Sequence, residues 1–504
     1  NKCDINAFLP KVPTQKNGKK VALIGAGPAS LAVARDLLPF GYEVHLFDRD
    51  EKGGGMMRSQ IPAFRLPEEV LDEEVDRILD MGVNTHFGQD ITSMKSLLDE
   101  NYDAYFVGTG APKGRDLDLI GRAEVDNHIH IGIDWLSSVA FGHTTSIKGK
   151  VIVMGGGNTA MDCCRTSLRL GAESVTVVVR SAFEVMKASE WEKEDAMREG
   201  IPIINNRPPK EFVHENGKLK GVLFECVTPI KGEDGRLTYE PSGEEDVFIE
   251  ADHILMAIGQ DNHCPWIERD IGLEFDKWDC PILDEVTFQS TNEKVFFGGD
   301  SAFGPENIIW ASAHAHQAAI SIHLYCQGKD LKKDRPAEGM NLMSTKMGVH
   351  EWAYDAEHDP SVRNLVPLVE HKVALSNIKT EVELGFDKEL AEREAQRCLN
   401  CDVQTVFSES LCIECDACVD ICPMDCISFV GNDEEEALRL ALSAPAENIE
   451  QDLYVSAELP TQRVMVKDED VCLHCGLCAE RCPTNAWDMQ RSVVHVPQLG
   501  SFAE

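Results

Sequence analysis

Eight cysteines toward the C-terminal end carry metal-binding spacing. Cys412, Cys415, Cys418 and Cys422 form a C-x₂-C-x₂-C-x₃-C run followed by Pro423, and Cys472, Cys475, Cys478 and Cys482 repeat it before Pro483. In two-cluster ferredoxins, three closely spaced thiolates grip one [4Fe–4S] cube and the fourth reaches the other cube. The spacing therefore predicts one [4Fe–4S] cluster on Cys412, Cys415, Cys418 and Cys482, and a second on Cys472, Cys475, Cys478 and Cys422. The alternatives are zinc, which rarely needs two such runs, and disulfides, which belong mainly to short secreted chains. A separate pair, Cys398 and Cys401, could join Cys3 or residues outside this sequence in a third metal centre, or be two reduced thiols. Cys163 and Cys164 fall on a helical stretch and read as packing thiols.

Two glycine turns carry the remaining chemistry. Gly25-x-Gly27-x-x-Ser30 follows the apolar run Val21–Ile24, opens a helical pattern, and is succeeded by a strand that ends at Asp48. Gly25 permits the tight turn and Gly27 lets the backbone approach a pyrophosphate. The helix N-terminus offers free N–H groups and its positive dipole end, and the acid meets a ribose hydroxyl. Gly155-x-Gly157-x-x-Ala160 repeats the unit after Val151–Met154. Its second strand ends in a cation, Arg180, with Lys187 beyond it. That suits the 2′-phosphate of NADP; the alternative is that Arg180 only solvates the strand end. Neither turn is followed by the dithiol of a disulfide reductase. No Ser–His–Asp, HExxH or paired-histidine pattern occurs, so no catalytic side chain is assigned.

These motifs need strands and helices to hold them, and the chain has room. It has 504 residues, which at about 150 per domain predicts three domains. The predicted fold is α/β, with two nested Rossmann-like dinucleotide-binding domains followed by a small α+β ferredoxin-like domain. A lead-in covers 1–19. The FAD domain covers 20–130 and 259–327 and is interrupted by an NAD(P) domain over 131–258. A connector with the CxxC pair spans 328–404, with some helix expected in 328–380, and the two-cluster domain spans 405–504. A third apolar strand, Val295–Phe297, leads through Gly298-Gly299-Asp300 into a helix from Ile308 to Leu324.

Charge narrows the partners. With 48 Lys+Arg against 86 Asp+Glu the net charge is −38, which excludes a general nucleic-acid binder. No apolar run is long enough for a membrane span, and Asn1–Asp4 lack the apolar core of a signal peptide, so a cytoplasmic location is expected. Residues 431–470 hold eleven Asp/Glu and three Lys/Arg. They read as a solvated insertion or as a docking face for a basic partner.

The stretch Val21 to Asp48, then Gly54-Gly55 and Ile61-Pro62-Ala63-Phe64-Arg65-Leu66-Pro67, resembles the small subunit of glutamate synthase and the flavin part of dihydropyrimidine dehydrogenase. So do Gly155 to Asp162, Ala257-Ile258-Gly259-Gln260 and Gly298-Gly299-Asp300. The resemblance covers residues 5–325. It implies that FAD is held by the first turn and by Gly55, Met56, Arg65, Ile91, Gly299, Asp300 and Ile308, beside Asp48. It implies that NAD(P)H is held by Gly155, Gly157, Asn158, Thr159, Arg180, Lys187 and Ala257 to Gly259. Residues 405–490 resemble a bacterial two-cluster ferredoxin with a longer middle insertion. Two departures stand out: Arg180-Ser181 replaces consecutive basic residues, and Arg397-Cys398-Leu399-x-Cys401 stands before the ferredoxin region, where relatives open an N-terminal domain with it.

Together these features predict electron exchange between NAD(P)H and a ferredoxin or other iron–sulfur partner, through FAD and the clusters, by a subunit of a larger redox complex. The alternatives are a glutamate synthase small subunit and a non-catalytic electron-wiring subunit.

Overall fold

Short β-branched and aliphatic runs build two parallel sheets, one nested in the other. The computed structural model describes residues 10–231, 237–336, 339–344, 361–398, 403–440, 442, 453–469, 471–495 and 499. It divides into two compact units, one comprising 1–336, 368–384 and 498–504 and the other 337–367 and 385–497.

In the first unit, one sheet runs in the order 295–297, 104–107, 20–24, 43–48 and 84–87, with every neighbouring pair parallel. Lys20–Ile24 is buried at every position after the first, as a strand covered on both faces requires. One face packs on helices Pro28–Leu37 and Ile308–Cys326. The alanines Ala315, Ala318 and Ala319 bring the second helix close to Val21, Leu23 and Phe106. The chain leaves this sheet after Val107 and returns at Val295. Between lie the strands 129–131, 253–256, 150–154, 174–178 and 203–204, a second parallel sheet in that spatial order.

The second unit holds two three-stranded antiparallel sheets. One pairs 339–344 with 487–495 and 487–495 with 403–407; the other pairs 427–431 with 463–467 and 463–467 with 454–455.

The stretch expected as a surface connector is less uniform than its sequence suggests. Within 328–380, the helix among the described residues is a single turn, His371–Ala374. Ala374 and Val382 pack on Phe64, and the Val382 N–H donates to the Phe64 carbonyl at 3.0 Å. Gly339–Ser344 is a strand whose partner lies near the far end of the sequence, so no local periodicity reveals it.

Burial also sets an acid limit on the fold. His323 is 6% exposed. Its Nδ1 lies 3.0 Å from the Tyr42 hydroxyl and its Nε2 2.8 Å from the Gln327 amide. Burial lowers its pKa to about 4, whereas an unfolded imidazole titrates near ~6.5. Between those values the unfolded chain binds more protons, so stability is complete above the upper value and falls as pH drops toward the lower one. Thermal melts across that window should show a falling midpoint, with a shallower fall in His323→Gln. Parallel curves for the two proteins would refute this.

Candidate functional site

Three chain segments converge on the start of helix Pro28–Leu37. Gly25 has φ +90°, and a Cβ there would lie 2.6 Å from the Gly108 carbonyl oxygen. Gly55, at φ +52°, sits so close that its Cβ would lie 2.8 Å from Gly27 Cα, and Gly299, at φ +64°, faces Ala29. Only bare backbone fits this crossing. Gly27 is the N-cap and no side chain caps the helix, which leaves the first-turn N–H groups available to an anion. The Asp48 carboxylate accepts the Ala26 N–H at 2.5 Å and the Asp50 N–H at 2.9 Å. Burial pushes this carboxyl up and those two N–H groups pull it back. Ser30 Oγ and Thr109 Oγ1 are buried without a hydrogen-bond partner among the described residues.

Around this crossing, Met56 begins a short helix capped by Gly55. Asp300 accepts the Glu306 N–H at 3.1 Å. Ile308 is exposed at the start of its helix, and Ile91 packs on the opposite face of the sheet from that helix, with Phe47 and Tyr105. The Arg65 guanidinium pairs with Asp162 at 2.7 Å and with Glu192.

The second turn has a parallel construction. Gly155, at φ +139°, abuts the Ala257 carbonyl, where a Cβ would lie 2.0 Å from the oxygen. Gly157 caps helix Asn158–Arg169 with no side chain, and nothing lies within 4 Å of where its Cβ would be. That opening fits a phosphate against the helix end. The Asn158 carboxamide oxygen accepts the Ser189 N–H at 3.0 Å, half-buried Thr159 follows it, and Ile258 and Gly259 continue the adjacent strand. Arg180 and Lys187 are exposed, and neither takes part in an ion pair among the described residues. The chain also brings Arg207, which no sequence motif marks, to this strand end: its N–H donates to the Val179 carbonyl at 3.0 Å.

Cys163 and Cys164 are fully buried on this helix, and burial pushes both thiols well up. They supply no thiolate for disulfide exchange.

Beneath the turn lies an ion network with no sequence signature. Arg165 pairs with Glu199 at 2.9 Å and with Glu192 and Asp195 at 3.3 Å, and Arg169 pairs with Glu199 at 2.7 Å. The Phe64 ring lies under both guanidiniums, 3.9 Å from Arg169 and 5.2 Å from Arg165. Through Arg65 the network ties the Ile61–Pro67 stretch to helices Asn158–Arg169 and Glu190–Arg198. Burial pushes the Asp162 carboxyl up to about 7 against the pull of Arg65.

In the second unit the eight cysteines sort into two cavities. One, of ≈ 300 Å³ of empty volume, is lined by Cys412, Cys415, Cys418 and Cys482; the other, of ≈ 340 Å³, by Cys472, Cys475, Cys478 and Cys422. Each cavity takes three thiols from one run and the fourth from the other. The two halves repeat at an offset of 60 residues, down to the backbone. Glu414 and His474 have φ +56° and +49°, Asp416 and Gly476 +55° and +77°, and Asp425 and Asn485 +50° and +55°. These left-handed turns aim N–H groups at sulfur. Glu414 donates to Cys412 at 3.3 Å and His474 to Cys472 at 3.4 Å; Cys426 donates to Cys422 at 3.4 Å and Ala486 to Cys482 at 3.2 Å. Thiol quartets with aimed N–H donors fit cubane clusters, whose sulfurs accept such bonds.

Two residues here carry no ligand spacing in the sequence. Cys426 lines the second cavity with its Sγ 3.3 Å from that of Cys422. Lys467, with a fully buried side chain, lines the same cavity and pairs with Glu469 at 2.7 Å. Cys398 is exposed; Cys401 and Cys3, the other members of the suggested third centre, lie outside the described residues.

Residues 19–315 match the family described as pyridine nucleotide-disulphide oxidoreductase, and residues 411–486 match the 4Fe-4S dicluster domain. Among curated relatives, the chain is 33% identical over 437 residues to the NADPH-Fe(3+) oxidoreductase subunit beta of Geobacter sulfurreducens, covering 79% of this chain and 63% of that one. It is 34% identical to the NADP(+)-dependent formate dehydrogenase subunit beta of Moorella thermoacetica, covering 76% and 55%. It is 35% identical to the glutamate synthase [NADPH] small chain of Escherichia coli, covering 61% and 69%. The chain thus spans less than two thirds of the length of the first two. Among solved structures, FprA of Mycobacterium tuberculosis in complex with NADPH shares the fold, with a TM-score of 0.53 at 14% identity over 62% of this chain and 85% of that one. Among the described residues no helix is long and apolar enough to cross a membrane.

Proposed function

Because the chain belongs to the pyridine nucleotide-disulphide oxidoreductase family, we propose that it exchanges electrons between NAD(P)H and an iron–sulfur partner such as a ferredoxin, as the electron-transfer subunit of a larger redox complex. The observation that carries this reading is the pair of four-thiol cavities in the same chain as two uncapped glycine-turn helices. Bound flavin would supply both hydride and single-electron chemistry, which is what linking a nicotinamide to iron–sulfur clusters requires.

The roles of the chain's own residues follow from the geometry. The N–H groups after Gly27 and after Gly157 would bind pyrophosphates. Ser30 and Thr109 offer unpartnered hydroxyls at the FAD turn. Asp48 already accepts two backbone N–H groups, so it would shape the turn as well as face a ribose. Met56, Gly299, Asp300 and Ile308 would line FAD, and Asn158, Thr159 and Ala257 to Gly259 the nicotinamide dinucleotide. The eight cysteines would hold two [4Fe–4S] clusters. The names of the Geobacter and Moorella relatives, each a beta subunit, support assembly into a complex.

The test is anaerobic titration of the purified chain, with iron and FAD quantified beforehand. NADPH or NADH should bleach the flavin band and then the cluster absorbance; no bleaching by either would end the proposal. Arg180 extends the test to specificity. It is an exposed guanidinium without an ion-pair partner among the described residues, at a strand end suited to a 2′-phosphate. A charge-assisted hydrogen bond is worth about 1.5–3 kcal/mol, so Arg180→Ala should lower kcat/KM for NADPH by roughly 10–100-fold and leave NADH within about twofold. Equal loss with both nicotinamides would remove Arg180 from the phosphate site.

A further inference from the structure

The two thiol cavities repeat in backbone but not in charge. The 60-residue offset places Phe407 and Lys467 at equivalent positions, and each lines its own cavity. Asp416 lines the first cavity, and its equivalent in the second is Gly476. One oxygen of Asp416 is buried without a hydrogen-bond partner among the described residues, while the other faces Arg463 at 3.2 Å. One quartet therefore sits beside an aromatic wall and a carboxylate, the other beside a buried ammonium.

We propose that Lys467 raises the reduction potential of the cluster held by Cys472, Cys475, Cys478 and Cys422, making it the electron's lower-energy resting place of the two. Adding an electron makes a cluster more negative, and a fixed cation nearby stabilises that state. The sign depends on which of three effects wins. Burial of Cys472, Cys475 and Cys478 disfavours added negative charge. Glu469 offsets part of the Lys467 charge, but its side chain is 29% exposed and water screens it. The Lys467 side chain is fully buried and faces the thiols themselves, so the low dielectric that penalises the electron also strengthens its attraction to Lys467. The buried Lys467 ammonium pairs with the Glu469 carboxylate at 2.7 Å, a contact that suits its charged form.

This inference rests on the two-cluster reading, and the experiment separates the two. The full chain, with clusters in place, is titrated potentiometrically with electron paramagnetic resonance detection, and iron is measured for every variant. The wild type should hold about eight irons and show two one-electron steps. Lys467→Met should move one step to lower potential by at least tenfold in its oxidised-to-reduced ratio, about 59 mV. Asp416→Asn should raise the other step, and Lys467→Arg should restore the wild-type pattern. Should Lys467→Met lose iron, Glu469→Gln carries the test, with an upward shift of the step that Asp416→Asn leaves alone. Unmoved steps, both steps moving together, or Lys467→Met and Asp416→Asn moving the same step overturn the assignment to Lys467 while the cluster reading stands. A wild type holding fewer irons overturns both.

Discussion

Replacing Cys482 with serine should remove the cluster gripped by the first cysteine run, although Cys482 belongs to the second. Iron should fall from about eight to about four per chain. The spectrum lost should be the one lost in Cys415→Ser, and different from the one lost in Cys475→Ser. The reason is topological. Cys482 lines the cavity of Cys412, Cys415 and Cys418, and Cys422 that of Cys472, Cys475 and Cys478. Strand 487–495, directly after the second run, pairs with 403–407, directly before the first, and this pairing carries Cys482 across. Because both substitutions act on one cluster, the Cys415→Ser, Cys482→Ser double variant should match either single variant. A double variant that loses all its iron would show that each run serves its own cluster.

Arg165→Met should destabilise the first unit by about 3–5 kcal/mol, the range for removing one partner from a buried ion pair. The Arg165 side chain is 2% exposed, and those of its partners Glu192 and Glu199 are 3% and 7% exposed. Without Arg165, Glu199 keeps Arg169 and Glu192 keeps Arg65, but each loses a cation in a place water cannot reach. The two carboxyls already feel this balance differently. Burial pushes Glu192 up; burial acts on Glu199 in the same sense, but Arg169 and Arg165 override it and hold that carboxyl down. Lysine should rescue poorly, since a single ammonium cannot reproduce a guanidinium fork shared among three carboxylates. Urea unfolding followed by circular dichroism reads the effect, and a loss under about 1 kcal/mol would show that the network relaxes or takes up water.

Much of the site is legible in the residues alone. Gly25 and Gly155 announce their turns because positive φ and close backbone approach exclude a Cβ, and Gly27 and Gly157 because a bare position at the helix end leaves room for a phosphate, constraints of one or two residues. The cysteine runs announce their clusters for a similar reason: three ligands within seven residues are already near one metal. The features that stay hidden depend on distant partners. Arg65 is tied to Asp162 and Glu192, far along the chain, a pairing that no local pattern marks. Gly339–Ser344 becomes a strand only because 487–495 lies beside it. Lys467 counts as one of three cations in an acidic stretch whose charge pattern reads as surface, yet its side chain is fully buried.

The sequence by itself determined the α/β architecture of two glycine-turn units and the cysteine quartets, because apolar runs, turn glycines and ligand spacing act over a few residues. Only the tertiary structure decided which charges are paired, which are desolvated and which face a thiol cavity. An ion's energy depends on the dielectric and the partners around it, and packing between distant segments supplies both.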